Sequence, residues 1–363
     1  MEKKSSFLVV CTFALLSSFF FSCNETKKTA NSPKYFVNMA KTADGHALNP
    51  LLELGKQYYS DYDIDLKITG IEYNSIFQTL AAGKVDASYV TLTTPIRYGA
   101  QNEDVLIYAG AMTGGVGVFV NKDADFGGKD LHDPQSWKGH SVGFITESTV
   151  GLALRGILKN AGLKEGTDWT YREITEYPAL ISAGAKGVFD ILLCPPDYVS
   201  TAKQLGLVFK FPMVELSPDY VCCRQSANCT YFNKNKEAFI SLLKAEIRAY
   251  KDFKLNAPQE SIEKMAKTSG VDEETIYNYL YNKENLLGRS HNPDPNYNGV
   301  YGVYSVLDYE RPLYEFFDIS AYATALQSII AEFPEESFYK DMWAFFIENN
   351  SLYPDFSKTY HAL

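Results

Sequence analysis

The amino-acid sequence predicts an α/β fold of two similar lobes, followed by helices at the C-terminal end. From Tyr35 onward, short apolar runs alternate with amphipathic stretches, as strands and helices do around parallel sheets. The order helix, glycine, strand, polar loop occurs at residues 74–95 and again at residues 178–197. This repetition indicates two similar lobes facing one cleft. Beyond Asn233 the periodicity is helical.

The first lobe is predicted to alternate strands with helices up to the crossing into the second lobe. Alternating or continuous apolar runs predict the strands, and Gly83 ends the second helix. The predicted strands cover residues 35–37, 64–68, 85–90, 105–108 and 116–120, and the predicted helices cover residues 50–59 and 74–82.

The second lobe repeats this order, and the chain then returns. A strand follows Trp137, and residues 208–223 form an extended return crossing. The other predicted strands are 170–174 and 189–193; the predicted helices are 150–160, 178–186, 234–253, 258–267, 272–281, 320–332 and 335–346, with a loop at 292–304. We expect lobe 1 to comprise residues 34–117 and 214–363, and lobe 2 to comprise residues 118–213.

Polar residues follow several predicted strands, at the edge of the sheet where ligands of such folds bind. Thr93 and Thr94 follow the third strand, and Thr146 and Thr149 stand before a helix whose first N–H groups need acceptors. Glu147 in the same loop argues against an anion. Simple helix capping is the alternative explanation for these hydroxyl groups.

The first 22 residues have the pattern of a secretory signal. Lys3 and Lys4 precede an apolar run from Phe7 to Phe21 that is shorter than the roughly 20 residues of a spanning helix. Residues 20–23, Phe-Phe-Ser-Cys, resemble a bacterial lipobox, although Phe20 stands where an aliphatic residue is usual. We therefore expect cleavage before Cys23, lipidation of Cys23, a polar tether at residues 23–33 and a periplasmic or cell-surface location. An ordinary signal peptide is the alternative.

Four cysteines remain beyond Cys23, and the sequence leaves their state open. They are Cys194, Cys222, Cys223 and Cys229. An oxidising compartment permits disulfides, and a bridge from Cys229 to either neighbour, a Cys222–Cys223 bridge, a soft metal site and unpaired thiols are all compatible with the spacing. We expect no bound metal and no cofactor.

Composition and motifs argue against two classes of function. The formal net charge is −10, without a Lys/Arg-rich run, so nucleic acid is not an expected partner. The sequence has no GxSxG elbow, HExxH motif or Walker loop, and its five histidines are scattered. We therefore expect a binding protein rather than an enzyme.

Several segments stand in an order that resembles a known family. They are Asp-Gly-His-Ala-Leu-Asn-Pro at 44–50, Phe-Gln-Thr-Leu-Ala-Ala-Gly-Lys-Val-Asp-Ala at 77–87, Trp-Lys-Gly at 137–139, Pro-Ala-Leu at 178–180 through Gly-Val-Phe-Asp at 187–190, and a helical segment at 245–250. In this order they resemble the nitrate/sulfonate/taurine and thiamine-precursor solute-binding proteins of ABC importers. The resemblance covers residues 35–281.

The resemblance implies a type II periplasmic-binding fold that closes on a small solute and presents it to an ABC permease in the membrane. Carried over loop by loop, it implies that the ligand is lined by His46, Thr93, Thr94, Met112, Thr146, Thr149 and Asp197, with Tyr177 and Cys194 as further candidates. Capping of a nearby helix is the alternative for His46 and Asp197.

Two other functions and two ligand classes remain open from the sequence. A lipoprotein that senses a ligand is one alternative, and an enzyme similar to thiamine-pyrimidine synthases is the other. The Cys222, Cys223 and Cys229 pattern matches that enzyme's cysteine motif poorly. The 26 Tyr and 23 Phe residues favour a planar, pyrimidine-like ligand, whereas two helix N-termini favour a sulfonate- or nitrate-like anion.

Overall fold

The computed structural model describes residues 33–42, 50–195, 198–217, 221–256, 258–270, 272–280, 305–308, 318–351 and 355–361. Cys23, His46, Asp197 and the loop predicted at 292–304 lie outside these ranges. No helix within them is long and apolar enough to cross a membrane.

Strands and helices alternate through most of the described chain. The strands are β1 (Tyr35–Thr42), β2 (Ile64–Ile71), β3 (Ala87–Thr91), β4 (Val105–Gly114), β5 (Gly117–Asn121), β6 (Ser141–Ile145), β7 (Thr170–Ile174), β8 (Ile191–Cys194), β9 (Leu207–Pro212), β10 (Val221–Asn228) and β11 (Ser305–Asp308). The helices are α1 (Pro50–Gly55), α2 (Ile76–Ala81), α3 (Thr93–Ala100), α4 (Thr149–Asn160), α5 (Tyr177–Ala185), α6 (Val199–Gln204), α7 (Cys229–Lys234), α8 (Lys236–Leu255), α9 (Pro258–Ser269), α10 (Glu273–Leu280), α11 (Ser320–Glu332), α12 (Ser337–Asn349) and α13 (Phe356–Thr359).

The first sheet has the order β11-β4-β10-β3-β1-β2. Its strands β1, β2 and β3 run parallel, whereas β10 is antiparallel to both β3 and β4. One face packs on a large apolar core that includes residues of α1, α8, α11 and α12, and the other face carries a smaller cluster with α2. Coverage on both faces explains why the strands contain long apolar runs.

The second sheet has the order β7-β6-β8-β5-β9. Strands β6, β7 and β8 are parallel, and β5 is antiparallel to β8 and β9. Helix α4 packs on one face and helices α5 and α6 on the other. All five residues of β5 are buried, because this strand lies between two neighbours and beneath helices on both faces.

The chain passes between the two sheets twice. It leaves the first sheet after β4 and enters the second at β5, and it returns between β9 and β10. The crossings are joined by a backbone hydrogen bond in which the N–H of Met213 donates to the carbonyl of Val116 at 2.8 Å. These two sheets with their helices form the α/β two-lobed architecture that the sequence predicts.

Two expectations about the second half of the chain are wrong. The part beyond Asn233 is not entirely helical, because β11 pairs antiparallel with β4, with Val306 opposite Thr113. Edge strands leave a row of backbone groups unpaired, and β11 pairs with the last four residues of β4, Ala111 to Gly114. The return crossing is also not extended throughout, since Met213–Glu215 forms a turn of 3₁₀ helix.

Candidate functional site

The first sheet meets the second at the ends of β3 and β6. Strand β3 ends at Thr91 and α3 starts at Thr93, so a single residue, Leu92, forms the turn between them. Strand β6 ends at Ile145, and a turn containing Glu147 leads into α4. Because both turns lie at the carboxyl ends of parallel strands, they occupy the positions where ligands of such sheets bind.

Glu147 is the main point of polar contact between these turns. The Thr93 hydroxyl donates a hydrogen bond to the Glu147 carbonyl at 2.7 Å, and the Thr94 hydroxyl donates to the Glu147 Oε2 at 3.4 Å. The Arg97 guanidinium forms an ion pair with the Glu147 carboxylate at 2.5 Å. One residue of the second lobe therefore contacts three side chains of α3, two at its start and one in its last turn.

The backbone of Glu147 is held in an uncommon conformation. Its φ is 61°, in the left-handed region, which costs a residue with a Cβ about 1–2 kcal/mol. The next residue, Ser148, caps α4 by accepting a hydrogen bond from the Gly151 N–H at 3.2 Å. We infer that the strain is retained because this turn directs the Glu147 carbonyl and carboxylate toward α3.

Thr149 connects the second lobe to both the first lobe and the return crossing. Its N–H donates to the Thr91 hydroxyl at 3.3 Å, and the two hydroxyl groups also contact each other. The Thr149 hydroxyl donates to the Cys222 carbonyl at 3.2 Å, and the Leu92 N–H donates to the same carbonyl at 2.9 Å. The first residue of α4 is thus tied to β3 and β10 together.

Aromatic side chains line the adjoining part of the contact between lobes. Tyr73, which precedes α2 in the first lobe, packs against the apolar cluster of the second lobe that contains Tyr177 and Cys194. The Tyr177 and Tyr198 rings stack with centroids 5.3 Å apart. Burial, followed by the nearby Cys223 and Cys222 thiols, raises the pKa of Tyr73 well above its usual range, so Tyr73 is a neutral hydrogen-bonding group here.

Three further predicted residues, Thr146, Met112 and Cys194, contact other residues of their own lobe. Thr146 donates to the Ile174 carbonyl through its N–H at 3.0 Å and its hydroxyl at 3.4 Å, within the second sheet. Met112 is 1% exposed in the core of the first lobe, and Cys194 is 1% exposed at the end of β8. Their assignment to the ligand surface stays a prediction, as do those of His46 and Asp197.

Arg224 is a further charged group beside the return crossing. Its side chain is fully buried, and its Nη1 donates to the carbonyls of Met112 at 3.2 Å and Cys223 at 2.8 Å. Burying a guanidinium is costly unless its N–H groups are hydrogen-bonded. These two bonds therefore also fix the backbone of β4 and β10 next to the contact between the lobes.

Sequence reasoning placed Thr93, Thr94 and Thr149 on the two turns that meet, but it missed Tyr73, Arg97 and the Cys222 carbonyl as participants. Thr91 belongs to the threonine run that the sequence places after the third strand, but it was not among the residues predicted to line the ligand. Tyr73 and the Cys222 carbonyl carried no local signal, because only the tertiary fold brings them to this place.

The cysteines are held as thiols in the structure. None of Cys194, Cys222, Cys223 and Cys229 is disulfide-bonded. Among the residues described, no group of three or more His, Cys, Asp or Glu side chains is arranged to hold a metal ion. Cys229 accepts a hydrogen bond from the Asn233 amide at 3.3 Å, so its nearest polar partner is a side chain of its own helix, α7.

Comparison with known proteins identifies the fold. No protein-family model and no curated protein sequence matches the chain. Among solved structures, it is similar to the zinc-bound ligand-binding component of an ABC-type import system from Staphylococcus aureus, with 13% identity, a TM-score of 0.58, and 90% of this chain and 100% of that one covered. The periplasmic nitrate-binding protein of Synechocystis gives 13% identity, a TM-score of 0.58 and coverage of 90% of each chain.

A third similar structure is the periplasmic aliphatic sulphonate binding protein of Escherichia coli, with 17% identity, a TM-score of 0.51, and 83% of this chain and 92% of that one covered. At such identities the likeness establishes the architecture and does not identify a ligand. The chain therefore has the two-lobed α/β fold of the periplasmic solute-binding components of ABC importers.

Proposed function

We propose that the protein is an extracytoplasmic solute-binding lipoprotein of an ABC importer, which captures a small solute between its lobes. The observation that carries this proposal is the convergence of the β3–α3 and β6–α4 turns, where hydroxyl groups of both lobes lie beside the ion pair between Arg97 of α3 and Glu147. The solved structures of similar fold support it, since they are named as binding components of import systems.

Closure of the lobes on the solute is the proposed mechanism. A solute that contacts both turns favours the closed arrangement by its differential affinity for that arrangement. The hydrogen bonds from Thr93 to Glu147 and from Thr149 to Thr91 would then be made on closure. A membrane permease would recognise the closed form. We propose lobe boundaries at residues 34–117 with 214–363, and at residues 118–213.

The geometry favours a planar ring as the solute. Tyr73, Tyr177 and Tyr198 lie in one aromatic group that includes both lobes, and aromatic faces bind planar rings by offset stacking. The Glu147 carboxylate at the same place opposes an anion, and the first N–H of α4 already donates to Thr91. A pyrimidine-like, neutral or cationic solute is the proposed ligand class.

A sulfonate- or nitrate-like anion is the second candidate. The buried Arg224 guanidinium beside the crossing supports it, as do the nitrate and sulphonate named for two similar structures. An anion would need Arg97 to exchange its ion pair with Glu147 for one with the ligand. The net charge of −10 modestly disfavours this class.

Thermal-shift screening tests the function and separates the ligand classes. The Cys23→Ser protein is heated with pyrimidines, flavins, alkanesulfonates and nitrate, each at a large excess over the protein. A true ligand at about 100 times its Kd stabilises the folded protein by about 2.7 kcal/mol. The Thr149→Val variant should lose most of this shift, and Thr324→Val, which changes an exposed hydroxyl of α11, should keep it. Absence of any shift in the whole panel contradicts solute binding.

The lipid anchor has its own test. We propose that Cys23 carries the lipid and that the tether at residues 23–33 keeps the lobes close to the membrane and its permease. Labelling of cells with a fatty-acid analogue should mark the wild-type protein and leave Cys23→Ser unlabelled. Equal labelling of both proteins would exclude Cys23 as the modified residue.

A further inference from the structure

Cys222 and Cys223 bring their sulfur atoms together although they are neighbours on a strand. Successive side chains of a regular strand point to opposite faces of its sheet, yet the two Sγ atoms lie 3.3 Å apart. The pairing of β10 with β4 is irregular on both sides of Cys223, with register shifts between Val221 and Cys223 and between Cys223 and Gln225. Such bulges change the direction of side chains, which accounts for the close approach.

The pair lies where the chain returns to the first lobe. Cys222 packs against the apolar cluster of the second lobe, and Cys223 packs against the core of the first. The Cys222 carbonyl accepts hydrogen bonds from the Leu92 N–H of one lobe and the Thr149 hydroxyl of the other. A rotation of the peptide bond between Cys222 and Cys223 would therefore alter hydrogen bonds to both lobes, one to Leu92 and one to Thr149.

We propose that Cys222 and Cys223 form a dithiol site that is reversibly oxidised, by disulfide compounds outside the cytoplasm, to a disulfide between adjacent residues. The Cys222 thiolate attacks one sulfur of the oxidant, forms a mixed disulfide and releases the first thiolate. The Cys223 sulfur then loses its proton and attacks the Cys222 sulfur, which releases the second thiolate. One oxidant disulfide becomes two thiols, and the protein gains one S–S bond.

The surroundings of the two thiols support this order of attack. The hydrogen bond with Cys222, together with burial, raises the pKa of the Cys223 thiol, so Cys223 keeps its proton while Cys222 reacts. Burial also raises the pKa of Cys229, and Cys194 is 1% exposed within the second lobe. The raised pKa lowers the thiolate fraction of the half-buried Cys229, and near-complete burial hinders access to Cys194, so both thiols are expected to react more slowly than the adjacent pair.

The bond is expected to be easily reversed. Adjacent Cα atoms are about 3.8 Å apart, whereas disulfides usually join Cα atoms about 4.4–6.8 Å apart. A bridge at such short spacing has a high reduction potential and is readily reduced. The site does not depend on the proposed function, but its effect on solute capture does, because ring closure would move the Cys222 carbonyl away from Leu92 and Thr149.

The first experiment identifies the bond in the wild-type protein. The protein is treated with oxidised glutathione, denatured, alkylated and digested. The peptide with Cys222 and Cys223 should carry no alkyl group and weigh two hydrogen atoms less, and a reducing agent should restore both alkylation sites. Cys222→Ser should hold glutathione or remain alkylated at Cys223, and Cys229→Ser should behave as the wild type. Alkylation of both cysteines in the wild type, or a bridge to Cys194 or Cys229, overturns the proposal.

Two further measurements use the wild-type protein alone, so they do not depend on whether a cysteine variant folds. Phenylarsine oxide, which bridges neighbouring thiols, should bind the reduced wild-type protein at residues 222–223 and fail to bind after oxidation. The Leu92 amide should exchange its hydrogen a few-fold to about tenfold faster after oxidation, because its hydrogen bond to the Cys222 carbonyl would be lost. This factor corresponds to the net free energy of one hydrogen bond. Unchanged exchange would refute the effect on the contact between the lobes, and failure of the arsenical to bind the reduced protein would refute the dithiol site. Absence of solute binding to the reduced protein would instead contradict the proposed function and leave the dithiol site unaffected.

Discussion

Replacement of Thr91 by Val tests whether the two lobes are held together through Thr149. Thr91 is 6% exposed, and its hydroxyl accepts the first N–H of α4. Without that oxygen the Thr149 N–H loses its partner at a partly buried position, which costs about 1 kcal/mol, the low end of the range for an unsatisfied buried donor. We expect Thr91→Val to lower the free energy of unfolding by this amount, and Thr149→Val to lower it similarly, because its hydroxyl bonds to Cys222 and contacts Thr91.

A double-mutant cycle isolates the interaction between these residues. Urea unfolding, followed by tryptophan fluorescence, is measured for the wild type, both single variants and the double variant. Residues in direct contact couple by about 0.5–3 kcal/mol, whereas independent sites add within about 0.3–0.5 kcal/mol. Thr324→Val is the matched control, since its hydroxyl bonds only to its own helix through the Ser320 carbonyl at 2.8 Å. Additive effects of Thr91→Val and Thr149→Val would refute the contact.

Two further predictions concern packing and pH. A Cβ at Gly184 would lie 2.3 Å from Leu192 Cδ2, whereas a Cβ at Gly156 meets nothing within 4 Å. In urea unfolding, Gly184→Ala should therefore lower the free energy of unfolding by about 1–3 kcal/mol, and Gly156→Ala should raise it by about 0.5–1 kcal/mol. Equal effects of the two substitutions would contradict this packing. Burial lowers the pKa of His132, but the hydrogen bonds to Asp130 and Glu215 outweigh burial and raise the pKa above 6.5. The protonated imidazole therefore stabilises the folded protein below pH 6.5, and this stabilisation is lost as the pH rises through the raised pKa. The Tm difference between wild type and His132→Gln, measured from about pH 5 to about pH 9, should shrink with rising pH; a constant difference would contradict this.

The sequence was most informative where periodicity and stop signals agree. Strand β7 and helix α11 have the same bounds as predicted. The apolar periodicity of α11 is clear, and Pro334 follows its end, whereas β7 was recognised from its place between two helices rather than from burial. Helix α3 was anticipated only as a helix cap, since its eight residues include Pro95 and Gly99, which in a sequence usually mark turns and helix ends. Strand β11 was missed because a strand of four residues is specified by the edge of β4 that it pairs with, far away in the sequence.

The candidate site was predicted only in part, because local sequence pattern identifies some of its residues and long-range contacts determine the others. Threonines beside predicted strand ends and helix starts can be found from local pattern, and Thr93 and Thr149 were found in this way. The left-handed backbone conformation of Glu147 cannot be found from local pattern, because glutamate ordinarily avoids that conformation. That conformation accompanies tertiary contacts with Thr93, Thr94 and Arg97, and contacts between residues fifty or more positions apart leave no local signature.

The Cys222 carbonyl connects the contact between lobes to the chemistry of the dithiol. Because Leu92 and Thr149 donate to the same oxygen, a substitution that frees α4 from β3 and an oxidation that moves the peptide should act on one structural unit. Their effects on stability should therefore not add: oxidation should destabilise Thr149→Val less than it destabilises the wild type, by roughly the net worth of one hydrogen bond, about 0.5–1.5 kcal/mol. Equal destabilisation of both proteins would mean that the carbonyl keeps its position when the disulfide forms, and that the return crossing adapts elsewhere.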